Sequence, residues 1–504
     1  MKPHSLLPLL AGLFTLSLSL RAEEAQPLDV FDGKSLANWD GDPRFWKVED
    51  GCLTGETTAE VPTEGNTFIK WTGGELDDFE LTLEYKISAK GNSGVQVRSF
   101  ALPNKQWGVG GYQADFEGGD RYSGIIYGEA FRGILADRGQ STEIGDNHKP
   151  VEKERFGDGR ELGKVVKKED WNQMRVTFKG YTMENFINGT RTASLTDNDK
   201  EQRRRGGLLA LQLHAGPPMK VQFRNIKLKR LPLGDVKKIV FIAGKRSHGP
   251  GSHEHRAGCM LLAKSLNTSA SDKFYATVYT NGWPSDPTKF QNADAIVMYS
   301  DGGGGHMVNA HLAEVDEAHA RGVGVGCIHY AVEVEKGKSG DAFLKWLGGY
   351  FELHWSVNPH WDGDFKALPQ HAVANGVEPF KVNDEWYYHM RFREGLKNVT
   401  PILTALPPKE TLRRGDGGHS GNPHVRAAVE KGELQHVMWV SENENGSRGF
   451  GFTGGHFHRN WKDNNFRKVV LNSISWIAKS EVPAGGIQSP QPTDEEMTAN
   501  LDKK

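Results

Sequence analysis

The side chains best suited to chemistry in this sequence sit in three short segments: GNSGVQVRS (residues 91–99), GYQADFE (111–117) and LLALQLHAG (208–216). Each alternates apolar and polar residues at the two-residue period of a strand, which sends successive side chains to opposite faces. Val95, Val97, Leu209, Leu211 and Leu213 fall on the apolar side, leaving Gln96, Arg98, Gln113, Asp115, Glu117, Gln212 and His214 on the other. FELTLEYKI (79–87) adds Glu84 on a polar face. Tyr127 and Glu129 in IIYGE either close a groove or simply end a strand. Polar side chains two residues apart on one strand stand about 6.5 to 7 Å apart. Where such strands are neighbours, carboxylates, an arginine, amides and an imidazole meet, enough for acid, base and charge stabilisation. The plain alternative is a solvated outer face, and for Arg98 a structural ion pair.

A second chemistry is written in histidines, sixteen of nineteen lying after residue 236. His248, His253 and His255 follow VKKIVFIAG, His306 follows DAIVMYSD, His329 ends GVGVGCIH, and His456 follows RGFGFTGG. Imidazoles gathered from separate strand ends can hold a divalent metal at about 2.0–2.1 Å or donate hydrogen bonds to a sugar. Both readings stay open, and the sequence fixes no ligand set; Glu254 and Asp384 are further carboxylate candidates.

These residues need two different scaffolds. At 504 residues the chain exceeds a single core. Residues 28–232 read as all β, with Asn188-Gly189 a hairpin signal between two alternating runs, so a sandwich of two sheets is expected. The polar stretch 137–170 is too long for an ordinary connection. From 236 to 479, apolar strand-like runs alternate with helical ones, the pattern of an α/β domain on an open parallel sheet. The boundary near Leu231–Asp235 predicts two halves that fold separately, and residues 480–504 read as a flexible tail.

Composition narrows the function. Sixty-two basic residues balance sixty-four acidic ones, so nothing points to nucleic acid or an anionic surface. Residues 1–22, with Lys2 before the apolar run 6–20 and Arg21-Ala22 after it, read as a secretory signal peptide. The expectation is a secreted or periplasmic protein with no membrane span after cleavage. Cys52, Cys259 and Cys327 are too widely spaced for a disulfide framework.

From FDGKSLANW through NTFIKWTGGELDDFELTLEY, GNSGVQVRS, GGYQADFE and YSGIIYGE to LALQLHAGPPMKVQFRNIKLKRL, the first half resembles the 3-keto-disaccharide hydrolase family, a concanavalin-like jelly roll. The second half resembles the trehalose-utilisation (ThuA-like) family, relatives of class I glutamine amidotransferases. It does so at SHGPGSHEHRAG, GCIHYAVE, NDEWY and GFTGGHFHRNWKDNNFRKVVLNSISWIAK. Together the resemblances imply exported carbohydrate catabolism.

On that basis a carbohydrate is the expected substrate. A 3-keto group acidifies the hydrogen on C2, so a base can remove it and the aglycone can leave from C1. Asp115 or Glu84 is the candidate base, His214 the acid, and Arg98 or a divalent metal the enolate stabiliser. Gln96, Gln113, Gln212, Tyr127 and Glu129 would bind substrate. A plain retaining glycosidase is disfavoured, because Gln113 stands where an attacking carboxylate would be needed. His248, His255, His329, Asp384, Glu385 and His456 would bind a related keto-sugar in the second half. His329 takes the turn that a nucleophilic Cys holds in the amidotransferase relatives, so glutaminase chemistry is not expected. No nicotinamide fingerprint stands at a strand–helix turn, so a separate sugar 3-oxidoreductase is expected to supply the ketone. Hydrolase and lyase outcomes remain open, as does a non-catalytic glycan-binding or scaffolding role.

Overall fold

A computed structural model of the chain describes residues 25–234 and 236–502; the expected signal peptide lies outside the described residues. The alternation read along residues 79–87, 92–101 and 208–213 builds a sandwich of two sheets, one of ten strands and one of seven. Leu81, Leu83 and Tyr85 of the first sheet meet Val95, Val97, Tyr112, Leu211 and Leu213 of the second in a single core, all fully or almost fully buried. Burial of each such side chain contributes about 1.5–3 kcal/mol. The seven-stranded sheet sets Ile126–Glu129, Val109–Glu117, Asn92–Ala101, Leu208–Leu213 and Thr67–Trp71 side by side. Asn188 and Gly189 form the expected hairpin, both with left-handed backbones (φ 49° and 82°). The long polar stretch is ordered as strands Gln140–Ile144 and Pro150–Arg155, which extend the ten-stranded sheet, and a short helix Gly159–Gly163.

The α/β domain is built on a second seven-stranded sheet. Phe274–Tyr279, Lys237–Ala243, Ala295–Tyr299, Gly324–Ile328 and Arg448–Phe452 run parallel in that spatial order. Gln435–Glu442 and Val399–Ala405 are antiparallel additions at one edge, so the sheet is mixed where a wholly parallel one was expected. Helix Asn464–Ile477 packs against the central strands and is buried along most of its length. Strand order reverses between Lys237–Ala243 and Ala295–Tyr299, the place where ligands bind in open sheets of this kind. Among the described residues no helix is long and apolar enough to cross a membrane.

Two features depart from the sequence reading. The C-terminal segment is not loose: Val482, Ile487 and Met497 are buried, and Arg467 holds Ser489 and Pro490 by hydrogen bonds. Its polar composition hid three apolar anchors. The two halves also share a buried ionic junction. Arg230 bonds Asp77 at 3.1 Å and Asp286 at 2.6 Å, and Lys238 Nζ lies 2.5 Å from Asp77. The expected cut passes between Arg230 and Lys238, through the middle of this network.

Candidate functional site

On the sandwich, the polar set collects on the outer face of the seven-stranded sheet. Gln96 stands opposite Gln113, and Gln113 opposite Tyr127, and residues directly opposite share a face. Ser99 Oγ donates to Gln96 Oε1 (2.6 Å), and Gln96 Nε2 to Gln113 Oε1 (2.5 Å). Gln113 Nε2 donates to Asp115 Oδ1 (3.1 Å) and lies 3.4 Å from Gln212 Oε1. Gln212 Nε2 and Asn66 Nδ2 then donate to the two oxygens of half-buried Glu129 at 3.2 and 3.0 Å. An amide ladder thus joins two carboxyl groups. Gly94 lies opposite Asp115, and a Cβ there would stand 2.4 Å from Gln113 Cδ; glycine leaves the amide its room.

Burial pushes the Asp115 carboxyl up to about 8, with Glu117 and Glu129 adding to the rise against the Gln113 hydrogen bond. Asp115 is therefore protonated at neutral pH, which suits a proton donor and not the base expected of it. His214 is half-buried at the end of Leu208–Leu213, its Nδ1 turned to the Ala215 carbonyl at 2.6 Å. Ala215 N in turn donates to Asn66 Oδ1, which brings His214 to the Glu129 end of the ladder.

Two expected catalytic residues lie elsewhere. Glu84 is on the outer face of the ten-stranded sheet, paired with Arg224 at 2.7 Å, so it shares no groove with Asp115. Arg98 sits at a bulge where the register slips between Val97 and Phe100, with a left-handed backbone (φ 46°). The bulge turns its side chain inward, where it is wholly buried, bonds Asp78 at 2.7 Å and caps the Asp77 and Gly180 carbonyls. Its role is structural.

In the α/β domain the strand ends bring four side chains together: His253, His329, His456 and Glu385, each with a ligand atom within 4.8 Å of all the others. His253 Nε2 lies 3.0 Å from His456 Nδ1 and 3.1 Å from His329 Nε2. Glu385 Oε2 is 3.0 Å from His456 Nδ1 and 3.5 Å from His329 Nε2. His329 holds a left-handed conformation (φ 56°) directly after Gly324–Ile328, a strained turn that aims the imidazole at the centre. Its Nδ1 faces the Thr453 carbonyl at 2.8 Å. Cys327, two residues earlier, is buried within the strand and its thiol is pushed up by burial. His253 Nδ1 meets Asp301 Oδ1 at 3.1 Å. Burial lowers the His253 imidazole to about 3. Burial also opposes ionisation of Asp301, but bonds from His253 and Ser247 outweigh it and hold the carboxyl at about 2.

Several expected residues flank this centre without entering it. Asp384 is fully buried and accepts from the backbone N–H groups of Gly455 (2.9 Å) and His456 (3.0 Å), so it positions His456 from behind. Glu254 is turned to Gly251 N and Asp502 N. His255 is buried against the Lys245 carbonyl, with Nε2 3.6 Å from Asp301. His306 is satisfied by Ala331 O and Val308 N. Exposed His248 stacks on His253 at 3.6 Å, and exposed His360 reaches within 4.0 Å of Glu385. Asp301, His360 and Tyr387, whose hydroxyl lies 3.4 Å from His329 Nε2 and from Glu385 Oε2, were not singled out from sequence. The position of Asp301, two residues past the strand end at Tyr299, was the signal available for it.

The chain is thus a jelly-roll β-sandwich joined to an α/β domain on a mixed sheet. Residues 26–229 match the family described as a 3-keto-alpha-glucoside-1,2-lyase-like domain, and residues 240–477 match the family described as trehalose utilisation. The first domain thus resembles the 3-keto-disaccharide hydrolases and the second the ThuA-like proteins. A curated relative, the 3-keto-disaccharide hydrolase of Bacteroides thetaiotaomicron, is 32% identical over 88 residues, 16% of this chain and 29% of that protein. The chain therefore spans less than a third of the length of that relative. Among solved structures, a ThuA-like protein from Bacteroides uniformis is 16% identical, with 50% of this chain and 95% of that one covered (TM-score 0.36). A galectin-like fold from Bacillus subtilis is 11% identical, with 41% and 97% covered (TM-score 0.29).

Proposed function

We propose that the sandwich domain cleaves 3-keto-glycosides by elimination across C1–C2. The observation that carries this reading is the buried Asp115 carboxyl, which burial favours in its protonated form, joined by an amide ladder to Glu129. A base takes the C2 proton, and its electron pair is delocalised onto the C3 ketone as an enolate. The enolate re-forms the ketone with a C1–C2 double bond, the C1–O bond to the aglycone breaks, and Asp115 gives its proton to the departing oxygen. Glu129, with His214 nearby, is the base in this scheme; Gln96, Gln113, Gln212 and Tyr127 orient the sugar. Water adding to the unsaturated product makes the net reaction a hydrolysis. General acid and base terms of this kind contribute about 10²–10⁴-fold each.

The ThuA-like domain binds or acts on a related keto-sugar, His248 and His360 standing at the mouth of its centre. The ketone itself comes from a separate oxidoreductase that oxidises the sugar at C3, and the apolar run at residues 6–20 directs the protein out of the cytoplasm. The test is turnover of a 3-keto-glucoside against its parent glucoside by the full chain. Only the keto compound is expected to react. Equal rates on both would overturn the elimination chemistry, and tight binding of the keto compound without turnover would reassign the domain as a glycan-binding module.

A further inference from the structure

We infer that His253, His329, His456 and Glu385 form a divalent metal site of the zinc type at the C-terminal edge of the α/β sheet. The inference stands apart from the keto-glycoside reading, since it needs only these four side chains and their immediate partners.

The argument begins with protons. The Nδ1 of His329 faces a backbone carbonyl, which can only accept, so Nδ1 carries the hydrogen and Nε2 presents a lone pair. The Nδ1 of His253 faces the Asp301 carboxylate, which fixes the same tautomer. Two imidazole lone pairs then point at each other across 3.1 Å, and the Glu385 carboxylate adds a third acceptor 3.5 Å from one of them. The Tyr387 hydroxyl, 3.4 Å from His329 Nε2 and from Glu385 Oε2, and His456 Nδ1 can each supply one hydrogen, which leaves at least one of the three acceptors unmatched against its neighbours. A cation between them removes the conflict.

The spacing suits a particular cation. Ligand bonds of about 2.0–2.1 Å in a tetrahedron put neighbouring ligand atoms about 3.3 Å apart. The four contacts around the ring of residues are 3.0, 3.1, 3.5 and 3.0 Å. Three imidazoles and one carboxylate form a donor set of borderline softness, favouring zinc and its transition-metal neighbours over calcium or magnesium.

The surroundings complete the site. His329 is braced by Thr453, His253 by Asp301, and the His456 backbone by Asp384, partners of the kind that orient metal ligands. Glu385 and Asp301 together supply two negative charges against the dication. The side chains of His456 and Glu385 are 12% and 14% exposed, so solvent reaches the centre from their side. A water or sugar oxygen can approach an ion there.

The test uses the full chain, stripped with a chelator, dialysed and titrated with zinc alone by calorimetry, with bound metal measured after gel filtration. One zinc per chain is expected, together with a rise in Tm on adding zinc. His329→Ala and Glu385→Gln should each weaken binding 100-fold or more, with far-UV circular dichroism confirming the fold. Should either fail to fold, His456→Asn, on a partly exposed side chain, takes its place. Cobalt in the stripped wild-type chain should show the visible absorption of a four-coordinate N/O site. A folded wild-type chain taking up neither zinc, manganese nor cobalt in stoichiometric amount would overturn the proposal. So would zinc binding unchanged in the ligand variants, or lost only in His248→Ala and Asp301→Asn, which would seat the ion on the neighbouring group His248, His253 and Asp301.

Discussion

At the scale of single residues, Asp115 makes the sharpest predictions. Its carboxyl, raised by burial to about 8, is the protonated form an acid catalyst needs at neutral pH. kcat/KM on a 3-keto-glucoside should fall above pH 8 as that proton is lost. Asp115→Asn should cut the rate roughly 10²-fold or more and abolish the alkaline limb, which a pH–rate profile reads directly. The same shift predicts a stability effect with a definite sign. Between the unfolded value near 3.8 and the folded value of about 8, the folded chain keeps a proton that the unfolded chain has released. Stability therefore falls as pH rises through that window, by up to about 1.4 kcal/mol per pH unit. Asp115→Asn cannot ionise in either state. Its stability relative to wild type should grow from pH 4 to 8 in urea titrations, and a pH-independent difference would show that Asp115 ionises normally in the fold.

At the scale of elements, two departures from regular strand geometry decide what the sites contain. The bulge at Arg98 takes an arginine off the polar face and buries it beside Asp78. Gly94 acts in the opposite sense, since its missing side chain on the neighbouring strand leaves Gln113 room to reach Asp115 along their own strand. Gly94→Ala should displace Gln113 and lower kcat/KM by up to roughly 10²-fold, the cost of misplacing a catalytic group by about an ångström. The domain should still fold, and circular dichroism with a steady-state assay separates the two effects. In the α/β sheet, the turn after Gly324–Ile328 does comparable work by forcing His329 into a left-handed backbone.

At the scale of the whole molecule, the halves are tied together by charge. Asp77 and Arg230 from the sandwich meet Lys238 and Asp286 from the α/β domain, all almost completely buried. Burial alone would keep Asp77 neutral, but Lys238 and Arg230 outweigh it and hold the carboxyl well below the usual range. Removing one member leaves its partners charged and unpaired in the interior. Asp77→Ala should therefore cost about 3–5 kcal/mol in equilibrium unfolding of the full chain. For the same reason, residues 25–232 and 236–502 expressed apart should each unfold at lower urea than the intact protein. Unchanged midpoints would restore the expectation of two independent halves.

Strand periodicity by itself determined which residues face the sandwich core, the Asn188-Gly189 hairpin and the ordering of histidines at strand ends, because these follow from local alternation and turn chemistry. Tertiary structure alone decided which polar faces meet. Glu84 and Asp115 carry the same alternating signal, yet they lie on different sheets, because strand order is set by pairings far apart in the chain. Asp384 and Glu385 are adjacent in sequence, but one turns behind His456 and the other toward its ring. A one-residue step in an extended chain reverses the side chain, so neighbours with the same chemistry part company. The facing lone pairs of His253 and His329, 76 residues apart, exist only because parallel strands end at one edge.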